Sequence, residues 1–346
     1  MGNFHLSKMR TLGHLAQIIK AELVGDPQTI VRRAESFERA GEGDLTFAAD
    51  KSYRARIKDS NATAVIIAPP ATEASCCLLI SDNPKLAFAR AVQELHRQPY
   101  LPKGVSEDVS LGEGATVGEE PSIYPRVTVG ENTVIGDRVT LHPGVVIGRD
   151  CRVGSDSVIY PNVSIYDGCE IGERVIVHAG TVIGADGFGF VPDEEGRQVK
   201  MLQLGRVIVE DDCEIGANCT IDRGSFGDTV LRRGVKLDNL IQLGHSCEIG
   251  EQTVIAAQTG FSGGTRTGRS CVIAGQVGSN QHVTIGDNVL VTARSGVTKD
   301  VPSRSAIAGF IAQDYNAWRR SQVLYSRLPE IVERLKRLER IISRDE

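Results

Sequence analysis

The stretch Ile123–Gly148, IYPRVTVGENTVIGDRVTLHPGVVIG, decides the fold. Its aliphatic residues recur at every sixth position, at Ile123, Val129, Ile135, Leu141 and Ile147. Followed outward, the same step runs from Val105 to Ile183 and meets an aliphatic residue every time. Four positions after each stands a mostly small residue, such as Ala115, Thr133, Cys151, Ser157, Cys169 or Thr181. One large and one small plug per hexad is the pattern of a parallel β-helix, whose narrow interior each coil must fill.

A second period lies on the first. Glycine follows most of the aliphatics, but Tyr124, His142, Tyr160 and His178 take that place at intervals of eighteen. Proline follows the first three of them, Pro125, Pro143 and Pro161. Three hexads therefore make one coil, a triangle of short strands stacked on the next at about 4.8 Å. The four rings read as a ladder along one edge.

After Ile183 the phase fails. GADGFGFVPDEEGRQVKMLQLG is too polar and too rich in glycine to be a coil and reads as an inserted loop near 185–206. The frame resumes at Val209, Ile215 and Ile221, shifted by two. A second insertion, DRGSFGDTV near 222–230, restores the original phase at Leu231, and it continues to Val297. Long loops within compact domains are more often functional than not.

The repeat also accounts for the cysteines. Cys151, Cys169, Cys213, Cys219, Cys247 and Cys271 all fall at the small interior position, where a free thiol acts as a small apolar plug. Cys76 and Cys77 sit in a strand-like run and read as core. Disulfides are not expected, because no export signal is read at the N-terminus and the expected compartment is the cytoplasm.

The chain has 346 residues, a net charge of -5 and only 5% aromatic residues. This acidity argues against nucleic-acid binding, which needs a basic face. No apolar run reaches the roughly 18 residues of a membrane span. Residues 1–102 do not repeat. TLGHLAQIIKAEL has helical spacing with Thr11 as its cap, TAVIIAPP and SCCLLIS read as buried strands, and NPKLAFARAVQELH reads as a second helix. The chain thus divides into an α/β domain at 1–102, a parallel β-helix at 103–312 and a C-terminal helical segment at 313–346. In that last segment Leu324, Leu328, Ile331, Leu335, Leu338 and Ile342 form a heptad seam beside several arginines. Pro329 predicts a break between two helices there. The arginines read either as a solvated face or as a dock for an acidic partner.

Candidate chemistry centres on LGHSCEIG, Leu243–Gly250. Leu243 and Cys247 are the large and small plugs of one hexad and face inward. His245 lies on the bend between them and is expected to face outward. Gly263 stands one storey along, and His282 nearly the same place two storeys along. They are either a site or surface residues, and spacing does not choose. Asp238, seven residues upstream, is a candidate to orient the imidazole. No metal site is expected, because three ligands would have to converge on one ion and no such histidine cluster is present. GADGFG lacks the βαβ setting of a dinucleotide fingerprint, and no other cofactor motif is read.

The motifs GADGFGF, IGANCTIDRG, DNLIQLGHSCEIG and GSNQHVTIGDNV, and the order of the three segments, resemble the UDP-3-O-(3-hydroxyacyl)glucosamine N-acyltransferases of lipid A biosynthesis. The resemblance implies a mainly β fold, a left-handed parallel β-helix between a small uridine-binding α/β domain and C-terminal α-helices. Left-handedness comes only from the resemblance, since it runs against the usual crossover rule. The family implies a homotrimer with sites between subunits. It implies transfer of an (R)-3-hydroxyacyl chain from acyl carrier protein to the 2-amino group of UDP-3-O-acylglucosamine. His245 matches the family's general base, the Gly263 N–H its oxyanion donor, Asp238 an acidic residue near the base, and His282 a substrate contact. In FAADKSY, Phe47 and Tyr53 match the rings that stack on uracil, with Asp50 where the family usually has Asn. The basic C-terminal segment would meet the acidic carrier protein. O-acylation of a UDP-sugar, acetyl-CoA-dependent acetylation and a non-catalytic solenoid are the competing readings.

Overall fold

The computed structural model of the protein describes residues 9–97 and 99–342. The opening residues of the stretch read as lacking an export signal lie outside these. The chain divides into two compact units, one ending at Leu101 and the other beginning at Pro102.

In the first unit a five-stranded sheet runs in the order Glu22–Val24, Cys77–Ile80, Ala64–Ile67, Asp44–Ala48, Arg33–Ala34. Only the first pairing is antiparallel. Helices Leu12–Ile19 and Pro84–His96 pack on one face through Leu12, Leu15, Ala87, Ala91 and Leu95. Each helix begins at the polar residue expected of it. Thr11 accepts the His14 N–H at 3.3 Å, and Asn83 accepts the Leu86 N–H at 3.1 Å. Asp44 is buried at the end of its strand and is held by the Arg33 guanidinium and by the Gly41 N–H at 2.9 Å.

The second unit is a parallel β-helix of three faces. The first carries eleven short strands from Gly104–Val105 to Ala306–Ile307, the second ten from Val109–Leu111 to Gly296–Val297, and the third nine from Thr116–Val117 to Thr284–Ile285. Within the regular part each strand pairs in parallel with the one eighteen residues on, as Ile123 with Leu141 and Val129 with Ile147. The aliphatic plugs form one continuous buried column from Ile123 to Val301.

The small plugs have a second task. A hydroxyl or thiol there donates to the corner carbonyl of the next coil: Thr133 to Gly148 at 2.8 Å, Ser157 to Gly172 at 2.9 Å, Cys151 to Tyr166 at 3.2 Å, Cys271 to Gly286 at 3.0 Å. Each acceptor is fifteen residues further on in sequence. Thr, Ser and Cys are interchangeable here because each is small and brings one donor to a buried acceptor. All eight cysteines are free. Burial pushes the Cys151 and Cys213 thiols up to about 11 and the Cys247 thiol up to about 12.

Pairing across the insertions shows why the phase slips and recovers. Ile171 pairs with Val209, 38 residues on, and Val209 with Leu231, 22 on. Against eighteen, the insertions add twenty and then four residues, together four whole hexads. Both leave the coil between the second and third faces, after Ile183 and after Ile221. The longer one folds into a hairpin, Phe190–Pro192 against Gln198–Lys200. The two then bond to each other, Leu204 N–H to Ser225 C=O at 2.8 Å and Gly205 N–H to Gly224 C=O at 2.9 Å. A Cβ on Gly205 or Gly224 would lie within 2 Å of the Gly227 carbonyl oxygen, at 1.7 and 1.9 Å, so the contact requires glycine at both positions.

The C-terminal segment corrects the expectation of two helices. A single helix, Tyr315–Ile342, continues through Pro329. Proline removes one N–H and crowds the preceding turn. The flanking Leu, Arg and Glu residues favour helix strongly enough to carry it across. None of its residues is buried in this chain.

Candidate active site

The edge between the second and third faces is where the repeat is broken twice, and there the inserted loops meet His245. Its hexad runs from Leu243 on the second face to Ile249 on the third, so Gly244, His245 and Ser246 form the bend. Leu243 and Cys247 are fully buried and point inward, as the repeat requires. The His245 side chain instead enters a cleft of about 700 Å³ that is also lined by Asp186, Phe188, Lys200, Asp222, Gly263 and Gln281.

The imidazole is seated between two glycines. A Cβ on Gly263 would lie 2.4 Å from Nε2, and one on Gly187, in the first insertion, would lie 2.6 Å from the His245 Cβ. Neither position accepts a larger residue without moving the ring. On the other side Nδ1 is 3.2 Å from the Ser225 hydroxyl of the second insertion. That hydroxyl donates to Gln203 Oε1 at 2.7 Å, and the Gln203 amide donates to the Met201 carbonyl at 3.1 Å. Gln203 is 6% exposed.

Bend N–H groups along this edge are left over by the backbone ladder. At Arg149 the group is capped by the Asp167 carboxylate of the next coil, at 2.9 Å. At Gly263 the next residue in the column is Gln281. Among the described residues the Gly263 N–H has no acceptor, and it borders the cleft. An open backbone donor beside an imidazole is a pairing suited to acyl transfer, in which an oxyanion forms while a proton is removed.

Asp222 is the carboxylate that this chain places in the cleft with His245. It lines the cleft, accepts the Gln242 amide at 3.1 Å and interacts with the His245 charge. Burial raises its pKa above its ordinary value, with Gln242 and His245 pulling the other way. Asp238, by contrast, follows Leu237 on the first face and lies on a different edge of the prism. Its carboxylate accepts the Asn239 N–H at 2.8 Å and the Ala257 N–H at 3.1 Å, and it does not reach His245 within this chain. The reason is the length of a side. Six residues advance the chain by one face, so seven upstream is the previous edge. Counting the four-residue insertion would have found Asp222, whose neighbour Ile221 pairs with Leu243.

His282 stands one residue past the matching place on this edge. Gln281, thirty-six residues after His245, is the residue two storeys along. His282 is the next one, at positive φ, with its ring over Gly264 and its N–H bonded to the Gly263 carbonyl at 3.0 Å. The earlier histidines form the expected ladder. Tyr124, His142, Tyr160 and His178 stack with centroids 5.1, 4.9 and 5.0 Å apart and interplanar angles of 10°, 9° and 15°. Among the described residues no group of three or more His, Cys, Asp or Glu could hold a metal ion.

Known proteins resemble the chain along nearly its whole length. A UDP-3-O-acylglucosamine N-acyltransferase of Methylobacillus flagellatus is 37% identical over 340 residues, 98% of this chain and 97% of its own. The chain belongs to the UDP-3-O-acylglucosamine N-acyltransferases. The Coxiella burnetii protein of that name is also 37% identical, over 96% of this chain and 98% of its own, and the Syntrophotalea carbinolica one is 48% identical over 74% of each. The family described as UDP-3-O-(3-hydroxymyristoyl) glucosamine N-acyltransferase, LpxD, matches residues 28–94. The bacterial transferase hexapeptide family matches 114–149 and 150–185, and the hexapeptide repeat of succinyl-transferase matches 206–239. Among solved structures, a UDP-N-acetylglucosamine acyltransferase from Bacteroides fragilis is similar at TM-score 0.46 and 22% identity, over 57% of this chain and 69% of that one. The protein is therefore an acyltransferase of lipid A biosynthesis.

In this N-acyltransferase the region matched by the family model contains Phe47, Asp50 and Tyr53. The structure does not bring the two rings into one stack. Strand alternation sends Phe47 to the helix-covered face, 4.7 Å from Phe88, while Tyr53 packs with the cluster on the other face, 5.1 Å from Phe37. Tyr53 also hydrogen-bonds Glu38, which raises the phenol's pKa. Asp50 caps the short helix Lys51–Arg54 by position only and is exposed. Among the described residues no helix is long and apolar enough to cross a membrane.

Proposed function

We propose that this acyltransferase moves an (R)-3-hydroxyacyl chain from acyl carrier protein to the 2-amino group of UDP-3-O-acylglucosamine, with His245 as general base. The observation that carries the reading is His245 Nε2 seated against Gly263 in the cleft where both insertions emerge. The amine nitrogen attacks the thioester carbonyl, and Nε2 takes its proton. The Gly263 N–H stabilises the oxyanion. Collapse breaks the carbon–sulfur bond, and the imidazolium returns the proton to the departing thiolate. The amide is formed without a covalent enzyme intermediate. A positioned base contributes about 10²–10⁴-fold. Within the chain, Asp222 is the cleft carboxylate able to favour the imidazolium.

At the uridine end, Phe47 and Tyr53 are half-buried on opposite faces of the sheet and Asp50 is exposed, so each ring is a candidate contact for the base by itself and not as a pair in one stack. His282 is exposed on the bend next to Gly263 and is a candidate substrate contact. The C-terminal helix carries Arg319, Arg320, Arg327, Arg334, Lys336, Arg337 and Arg340, a basic surface suited to an acidic carrier protein. Its exposed heptad seam suits association of copies, in keeping with a homotrimer. The expected compartment is the cytoplasm.

The test offers purified protein a 3-hydroxyacyl thioester of acyl carrier protein and, separately, acetyl-CoA, each against UDP-3-O-acylglucosamine and UDP-GlcNAc. The expected product is the amide from the carrier thioester and the amine acceptor. Acetylation from acetyl-CoA, or an ester on UDP-GlcNAc, would overturn the reading.

A further inference from the structure

We infer that Ser225 and Gln203, one from each insertion, are positioning residues that hold His245 as the Nδ1–H tautomer with Nε2 bare toward the cleft. With His245 as the base, hydrogen-bond polarity along the relay fixes the tautomer. A backbone carbonyl can only accept. The Met201 carbonyl, 3.1 Å from the Gln203 side chain, therefore fixes which end of that amide is nitrogen. The oxygen end then faces Ser225, at 2.7 Å, and it too can only accept. Ser225 has a single hydroxyl proton and gives it to Gln203. What remains toward His245 Nδ1, at 3.2 Å, is a lone pair, so Nδ1 must carry the hydrogen. A neutral imidazole has one N–H, which leaves Nε2, against Gly263, as the free base.

The geometry also gives the two insertions a joint purpose. Neither reaches the histidine usefully alone. The bonds between Leu204 and Ser225 and between Gly205 and Gly224 place Gln203 beside Ser225, and the Ser225 N–H contacts the Ser246 hydroxyl next to His245 at 3.3 Å. The relay is thus built from backbone to base through two loops that the repeat itself does not need. Gly187, from the first insertion, lies against the other side of the histidine, where a Cβ would come 2.6 Å from the His245 Cβ.

The experiment compares S225A, S225T, H245A and the double variant H245A/S225A in steady-state acyl transfer, with the ¹⁵N spectrum of His245 recorded in the wild type and in S225A. S225A is expected to lower kcat about tenfold, as loss of orientation rather than of binding. KM for the UDP-sugar and the melting temperature stay within error, and S225T restores the rate. The double variant is expected to be no worse than H245A, since the serine acts only through the histidine. In the wild type the neutral imidazole carries its proton on Nδ1, and in S225A the two tautomers mix. Wild-type activity in S225A, or a wild-type spectrum with the proton on Nε2, overturns the relay while leaving His245 as base if H245A is inactive. Full activity in H245A would instead overturn the base itself and the relay with it.

Discussion

Two edges of the same prism carry histidines, and they differ in nearly every respect. On the edge between the first and second faces, His142 and His178 alternate with Tyr124 and Tyr160, in register and in contact. No insertion interrupts them. On the edge between the second and third faces, the coil opens twice, and His245 meets Ser225, Gly187 and Gly263 instead of a ring like itself. The ladder residues directly follow the aliphatic plug, whereas His245 is one position further round the bend. A histidine that the repeat reproduces serves the repeat. A histidine placed where the repeat is broken, with its hydrogen bonds supplied by the interruptions, is available for chemistry.

The contrast can be broken most forcefully at Gly263. In G263A the new methyl must occupy space 2.4 Å from His245 Nε2, so the imidazole moves. Gly263 is not at positive φ, so the backbone itself tolerates the change. Turnover is expected to fall about 10²-fold with little change in melting temperature. Steady-state kinetics beside a thermal melt would check this, and wild-type turnover would contradict it.

A smaller effect is expected at Asp222. Removing a negative charge that interacts with His245 makes the imidazolium less favoured. D222N should lower kcat about tenfold and move the acidic limb of the kcat/KM profile to lower pH. A shift to higher pH would contradict the role given to this carboxylate.

The ladder should respond in stability alone. H142A removes two stacked contacts, worth about 1–3 kcal/mol together, and leaves acyl transfer unchanged. Burial holds the His142 pKa below its ordinary value. The neutral ring is therefore the form favoured by folding. Its contribution is present above about pH 6.5, the unfolded value, and is lost as pH falls from there toward the folded one. Denaturant melts at pH 8 and pH 5 should show that increment in the wild type and not in H142A.

The smallest response is expected from Cys247, only two residues from His245. Burial pushes its thiol up to about 12. A thiol-directed reagent at pH 8 should leave both it and the activity untouched while the protein is folded. Inactivation by modification of Cys247 would mean that the plug faces the cleft.

Much of this was legible in the sequence because the repeat is strict. The six-residue step gave the buried column, the eighteen-residue step gave the ladder, and the small position assigned Cys247 and the other five cysteines. Each depends only on counting within an unbroken frame. Counting says less where it crosses an interruption or where a contact depends on which edge a residue occupies. Asp238 is near His245 in sequence but one face away, and Asp222 is distant in sequence but one storey away. His282 was one residue off the column held by Gln281. Ser225 and Gln203 carried no periodic signal, since both lie in the insertions, and only the bonds between the two loops bring them to the imidazole. Pro329 misled for a different reason: local propensity around it outweighed one lost hydrogen bond.

The most direct test is to measure acyl transfer by H245A and H178A side by side, at equal concentration and with melting curves for both. The loss in H245A should be about 10²–10⁴-fold with folding intact, while H178A should transfer acyl groups at the wild-type rate and melt earlier. Full activity in H245A, or loss confined to H178A, would place the chemistry on the other edge and contradict the account.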